Sequence, residues 1–363
     1  MAKYIKDIEK IESDKIKEKV TYKKLKYYTV FTFVTIILSL FSLFAIYKIA
    51  GGADLGFYRF LKGKTLSYLF ICLFFYFFFD CARFYYILKS LKITIPVKLI
   101  LKITFLNIFV SNITPSASGG GFIQIYYLNK NGVSLGDATA ATTIRTAITI
   151  VFFIIAVPIT ILVEKNLKYI PYHFGFIIYT VIVMLIYILL IFFTVYKSRL
   201  FKIIIYFSLK KLRKKKLISR KYFKRLSTFL LRELTIYTYS MIGFLKTTPH
   251  YTVLSLIFSA LFLFSSFIFS VILIKSLGYN MPVTTIIGYQ IVITFIMYFA
   301  PTPGSTGIAE GAYFYIFSSF IKQNDMVVLI ATWRFFTIYI GMIIGLLIFY
   351  YCIIKDFVIN KIR

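Results

Sequence analysis

Six largely apolar runs, each more than twenty residues long, recur along this chain at 27–50, 66–88, 138–163, 174–196, 251–274 and 326–354. An α-helix rises 1.5 Å per residue, so about 20 such residues cross the ~30 Å hydrocarbon core of a bilayer. Lipid offers no partners to backbone N–H and C=O groups, and a helix satisfies its own. With 60% hydrophobic and 20% aromatic residues and a mean hydropathy of +0.83, the pattern specifies an all-α polytopic integral membrane protein. Residues 1–26 carry nine lysines and five acids. Their isoleucines and leucine fall on one helical face, which predicts a basic amphipathic helix on the cytoplasmic surface rather than a cleavable leader.

The formal charge of +30 does not predict nucleic-acid binding, because the cations are segregated into connections between apolar runs. The stretch 197–225 holds thirteen Lys/Arg and no acid, which reads as a cytoplasmic loop that meets anionic headgroups. Both termini are then expected in the cytoplasm and the protein in the cell membrane. The three cysteines have no paired spacing and the two histidines lie far apart, so neither a disulfide framework nor a metal site nor a cofactor is expected. Asp80 and Arg83, three residues apart in the second run, share a helix face and read as an ion pair or as polar lining of a cavity.

Two further apolar segments are interrupted. At 99–113 and 122–128 the apolar residues flank Thr114-Pro115-Ser116-Ala117-Ser118-Gly119-Gly120-Gly121. At 283–299 and 312–321 they flank Ala300-Pro301-Thr302-Pro303-Gly304-Ser305-Thr306-Gly307-Ile308-Ala309-Glu310-Gly311. Neither half is long enough to cross alone, and the charge pattern requires each pair to cross an even number of times. Each pair is therefore expected to be a re-entrant or broken helical hairpin, one entered from the cytoplasm and one from outside. Pro115, Gly121 and Gln124 have the spacing of Pro301, Gly307 and Glu310, and Thr143-Ile144-Arg145 and Thr332-Trp333-Arg334 follow in the next runs. The order span, hairpin, span thus occurs twice, at 66–163 and 251–354, as an inverted-topology repeat of the kind found in transporters.

Helices beginning after Gly121 and Gly307 would aim unpaired N–H groups at the breaks. Together with Arg145 and Arg334, they would favour an anion such as a phosphate. Glu310 is the acid of this centre, read as a structural partner of an arginine, as a site for a cationic headgroup, or as a proton carrier. Gln124, Thr143 and Thr332 are further candidates for substrate contact. Pro115, Gly119, Gly120, Gly121, Pro301, Pro303, Gly304 and Gly307 are candidates for the opened backbone. A serine hydrolase would need a base beside Ser116, Ser118 or Ser305, and the histidines sit near the ends of runs, so no catalytic residue is assigned.

Ile113-Thr114-Pro115, Gly119-Gly120-Gly121, Gln124-Ile125-Tyr126-Tyr127-Leu128, Gly132-Val133-Ser134 and Arg145 resemble the first signature of the flippase-like transmembrane region of lysylphosphatidylglycerol synthases. Pro301-Thr302-Pro303-Gly304, Gly307, Glu310-Gly311 and Trp333-Arg334 are similar to its second. The likeness extends over about 27–355. It implies a translocase that moves a phosphate-bearing or aminoacylated phospholipid headgroup between leaflets through a cavity between the hairpins. Only nine residues follow Ile354, so a stand-alone member without the aminoacyl-transferring domain is expected. Gly121 with Phe122 departs from the more polar pair that relatives often carry after the double glycine. The alternatives are a membrane scaffold or regulatory subunit of lipid metabolism, docking through 197–225, and an intramembrane enzyme.

Overall fold

The computed structural model describes residues 63–164, 198–214, 219–246 and 249–362, with a few isolated positions elsewhere. The expected helix at 1–26 and the spans at 27–50 and 174–196 lie outside the described residues. Every regular element described is helical. In chain order they are α1 (Gly63–Ser90), α2 (Val97–Ile113), α3 (Ser118–Lys130), α4 (Leu135–Val163), α5 (Ser198–Lys214), α6 (Arg220–Lys246), α7 (Pro249–Ser276), α8 (Val283–Tyr298), α9 (Ile308–Phe317), α10 (Gln323–Arg334) and α11 (Ile340–Ile362). Short 3-10 turns at Pro115–Ala117 and Pro303–Ser305 and a π-helical segment at Phe335–Tyr339 interrupt them. Gly63–Ser90, Leu135–Val163, Pro249–Ser276 and Gln323–Cys352 are long and apolar enough to cross a membrane. These are the four expected spans that fall among the described residues.

Contacts divide the chain into two compact units. In the unit formed by 58–104 and 121–295, α1 lies along α7, with Tyr76 stacked on Phe262 and Tyr86 on Phe258. Buried Ser255, Ser259, Ser265 and Ser270 are small enough to let helices approach closely. The hydroxyls of Ser255, Ser259 and Ser265 return to carbonyls of their own helix, so they leave no unsatisfied donor. Gly136 at the start of α4 fits against α6, where a Cβ would lie 2.4 Å from the Glu233 carbonyl oxygen.

The stretch 197–225 departs from the expected loop, since 198–214 and 220–225 are helical. Leu200, Ile203, Ile204 and Phe207 recur at helical spacing on an exposed face of α5, while Leu209 is buried and Tyr206 meets Phe223 of α6. Lysine and arginine are good helix formers. Lys211, Arg213 and Lys214 also complement the negative carboxyl end of α5. A dense positive charge is therefore compatible with helix here.

In the unit formed by 1–57, 105–120 and 296–363, the end of α2 packs on α11. Gly345 of α11 permits the contact, because a Cβ there would lie 2.3 Å from the Phe105 carbonyl oxygen and 2.6 Å from Phe109 Cβ. The Phe109 and Phe349 rings meet at 5.4 Å one turn further along. Gly345→Ala is expected to force these backbones apart and cost on the order of 1–3 kcal/mol, as overpacking does. A thermal unfolding midpoint in detergent equal to that of the parent protein would contradict this close approach.

Candidate functional site

The turns of both expected breaks, at Pro115–Ala117 and Pro303–Ser305, lie in the second of these units, and they are the same turn made twice. Ala117 N–H donates to Thr114 O and Ser305 N–H to Thr302 O, at 3.2 and 3.1 Å. The next amide of each turn, Ser118 or Thr306, donates to Pro115 O or Pro303 O. The hydroxyls of the same two residues donate to the same two carbonyls, at 2.9 and 2.8 Å. Ser116 and Ala117 both have φ of 52°, and Gly304 and Ser305 both have φ of 57°. Two successive left-handed residues follow each proline, three of the four bearing a Cβ. Non-glycine residues in this region cost about 1–2 kcal/mol each, and such strain clusters at functional sites.

The backbone therefore equates Pro115 with Pro303, not with Pro301 as the Pro-x5-Gly spacing suggests. The helices also start at different distances from the turn. Gly119 N–H is taken by Thr114 Oγ1 at 3.0 Å, and α3 begins at once at Ser118. The expected start after Gly121 is corrected, since Gly121 lies inside the helix. In the second break Thr306 is extended and Gly307 has φ of 84°, which delays α9 to Ile308. Glu310 thus sits in the first turn of its helix, whereas Gln124 sits in the second turn of α3 and is not its counterpart.

Gly119 and Gly120 of the first break pack rather than hinge, while a Cβ on Gly121 would meet nothing within 4 Å. A Cβ on Gly119 would lie 2.7 Å from Val110 and Thr114 side-chain carbons, and one on Gly120 would lie 1.9 Å from Ser111 Oγ. Consequently α3 leaves the turn alongside the last turns of α2. The two turns pack against each other, with Gly304 placed so that a Cβ would come within 3.2 Å of the Asn112 carbonyl oxygen. Exposed Pro301 precedes the second turn.

Arg334 and Glu310, both fully buried, join the parts of the second break. Arg334 Nε stands 2.8 Å from Glu310 Oε1, and Arg334 Nη2 donates to Gly304 O at 2.7 Å. Glu310 Oε2 accepts from Gly307 N–H, also at 2.7 Å. The carboxylate occupies the positive end of α9, where such a charge is favoured. Where an outside anion was expected, the chain's own carboxylate takes the Gly307 amide at the opening of α9. Arg334 Nη1 and Thr302 Oγ1 are buried without a hydrogen-bond partner among the described residues. Immediately after Arg334 the helix widens into the π segment, Ile340 N–H donating to Phe335 O five residues back. Buried Thr332 donates to Val328 O, a local bond that leaves it in its own helix. The Tyr313 ring of α9 meets Trp333 at 4.8 Å, tilted by 42°.

Arg145 belongs to the other unit. Its Nη2 lies 2.6 Å from Asp80 Oδ1, the oxygen that also receives Arg83 Nε at 2.6 Å. The Asp80–Arg83 pair expected from spacing is present, and it is shared with a second arginine. Arg83 also reaches Thr149 at 3.4 Å and lies over the Phe262 ring at 3.8 Å. Thr143, half-buried, is on α4 two residues before Arg145. Gln124 is 2% exposed and its Nε2 has no hydrogen-bond partner among the described residues. The part played by Asp80 with Arg145, and those of Asn112 and Gly345, are not visible in the motifs. Aligning Thr114-Pro115 with Thr302-Pro303 would have located the paired turns.

The chain belongs to the family of the lysylphosphatidylglycerol synthase TM region, which it matches over residues 26–345. It is also 26% identical over 263 residues to a UPF0104 membrane protein of Archaeoglobus fulgidus, covering 72% of this chain and 79% of that one.

Removing one partner of a buried ion pair leaves an uncompensated charge and costs about 3–5 kcal/mol. Glu310→Gln is expected to lose that much stability, and Glu310→Gln combined with Arg334→Met to recover most of it. Additive losses in the double variant, measured by chemical denaturation in detergent, would mean that the two side chains are not coupled. Ala117→Gly, which removes a Cβ from a left-handed residue, is expected to raise stability by about 1 kcal/mol; a fall in midpoint would contradict the turn geometry.

Proposed function

We propose that this chain is a lipid translocase, moving a polar phospholipid headgroup between leaflets past the paired turns while the acyl chains stay in lipid. The observation that carries the reading is the fully buried Glu310–Arg334 pair, which holds strained, non-helical backbone together in a chain of membrane-spanning helices. Such backbone is tolerated at membrane depth only when buried in protein or lining a cavity, and intramembrane charges are expensive and functional by default. Membership of a family built around a lipid synthase membrane region supports a lipid as the substrate.

The chemistry favours a headgroup carrying both signs of charge, such as an aminoacylated or zwitterionic one. A phosphate would compete with Glu310 for the guanidinium, and an ammonium would compete with Arg334 for the carboxylate. Separately, in the other unit, buried Gln124 carries an Nε2 without a hydrogen-bond partner among the described residues, and we assign it a contact of its own with a headgroup oxygen. The basic stretch 197–225 holds anionic headgroups on the cytoplasmic side, where both termini also lie.

The test is translocation by the purified protein in liposomes, across a panel of anionic, zwitterionic and aminoacylated lipids. Gln124→Leu separates binding from folding. It removes a buried unsatisfied donor, so stability is expected to hold or rise, while translocation falls about tenfold through loss of one hydrogen bond to a charged group. No movement of any headgroup by the parent protein would sink the proposal; full activity in Gln124→Leu would remove Gln124 from the path.

A further inference from the structure

Between the end of α1 and the start of α2 lies a cleft of about 180 Å³, formed within one compact unit by residues between Tyr85 and Ile100. Its walls are mainly apolar, including Leu88, Ile93, Pro96 and Ile100, and Lys89 is the cation among its lining residues. No carboxylate lines it among the described residues. Lys89 also lies 5.5 Å over the Tyr85 ring, which contributes to the same wall. The cleft has a fixed frame. Lys92 takes a left-handed conformation, with φ of 60°, and its N–H closes on Lys89 O at 3.0 Å. Ile93 N–H reaches back to Leu88 O at 2.9 Å.

Position, charge and size converge. The helix that ends here is one of the four among the described residues able to cross a membrane, so the cleft opens at the depth of the headgroups, where lysine and tyrosine are favoured. The first turn of α2, whose Leu99 and Ile100 amides donate to Pro96 O, adds the positive end of the helix dipole. Sites for whole drug-sized ligands run to roughly 300–1,000 Å³. This one is smaller, sufficient for a phosphate with part of its glycerol but not for the tails.

We propose that the cleft is a resident binding site for an anionic phospholipid, its phosphate against Lys89 and its acyl chains leaving over Leu88, Ile93 and Ile100. The bound lipid stays at the rim of the protein and is not the one translocated, so this site stands whether or not the chain moves lipids.

The experiment is native mass spectrometry of the full chain released from detergent. The parent protein, Lys89→Gln and Val97→Trp are each titrated with phosphatidylglycerol, phosphatidylcholine and inorganic phosphate. The parent is expected to retain phosphatidylglycerol over phosphatidylcholine. Lys89→Gln is expected to weaken retention about fivefold, the worth of one lysine at an anionic surface. Val97→Trp, which fills the cleft from an exposed position, is expected to abolish it. Unchanged thermal midpoints would show that both variants are folded. Parent-like retention of phosphatidylglycerol by both variants would overturn the site. So would displacement of that lipid by inorganic phosphate, which would mark an ion site, or equal retention of both lipids with no effect of Lys89.

Discussion

Arg334 cannot be taken out of this protein on its own without leaving the Glu310 carboxylate buried and unpaired. Its guanidinium holds a turn carbonyl at Gly304 with one nitrogen and the Glu310 carboxylate with another, and that carboxylate in turn caps the amide that opens α9. One planar fork thus fixes where the second break turns and where its following helix begins. That turn packs on the first, so the seating of the first break depends on the same fork. In water an exposed pair of this kind would contribute little. Fully buried, each partner needs the other.

The fold class was legible because it rests on length and composition, which lipid converts directly into helices. The two interruptions were equally plain, since proline and glycine clustered inside an apolar run break a helix whatever surrounds them. Their correspondence was not. A spacing rule that ran from proline to glycine chose Pro301, whereas the backbone repeats from Thr-Pro. The second break holds two such prolines, and only hydrogen bonding distinguishes them. The pairing of Glu310 with Arg334 was open among three roles, because sequence shows which charges are present but not which of them meet. Asp80 is the converse case. Its neighbour at i+3 was evident on the helix, while its bond to Arg145, 65 residues away, depends on packing that no local pattern encodes.

Charge density misled in one place. A run of thirteen cations without an acid suggests a solvated loop, yet most of 197–225 is helix. Apolar residues at 200, 203, 204 and 207 supply one face, and three of the cations, Lys211, Arg213 and Lys214, lie in the last turn of α5 where the backbone is itself negative. The same composition is consistent with loop and helix; the period decides between them.

The π segment after Arg334 has a consequence of its own. It contains one residue more than an α-helix would use over the same rise, so everything beyond Phe335 is rotated by about 100° relative to an uninterrupted helix. Gly345 faces Phe105 only because of that offset. If the extra residue were to migrate one position toward the amino end, Arg334 itself would swing by a similar angle, away from Glu310 and Gly304, while the rest of the helix kept its place. The span that anchors the buried charge is therefore built like a screw thread with one slack turn, located at the arginine.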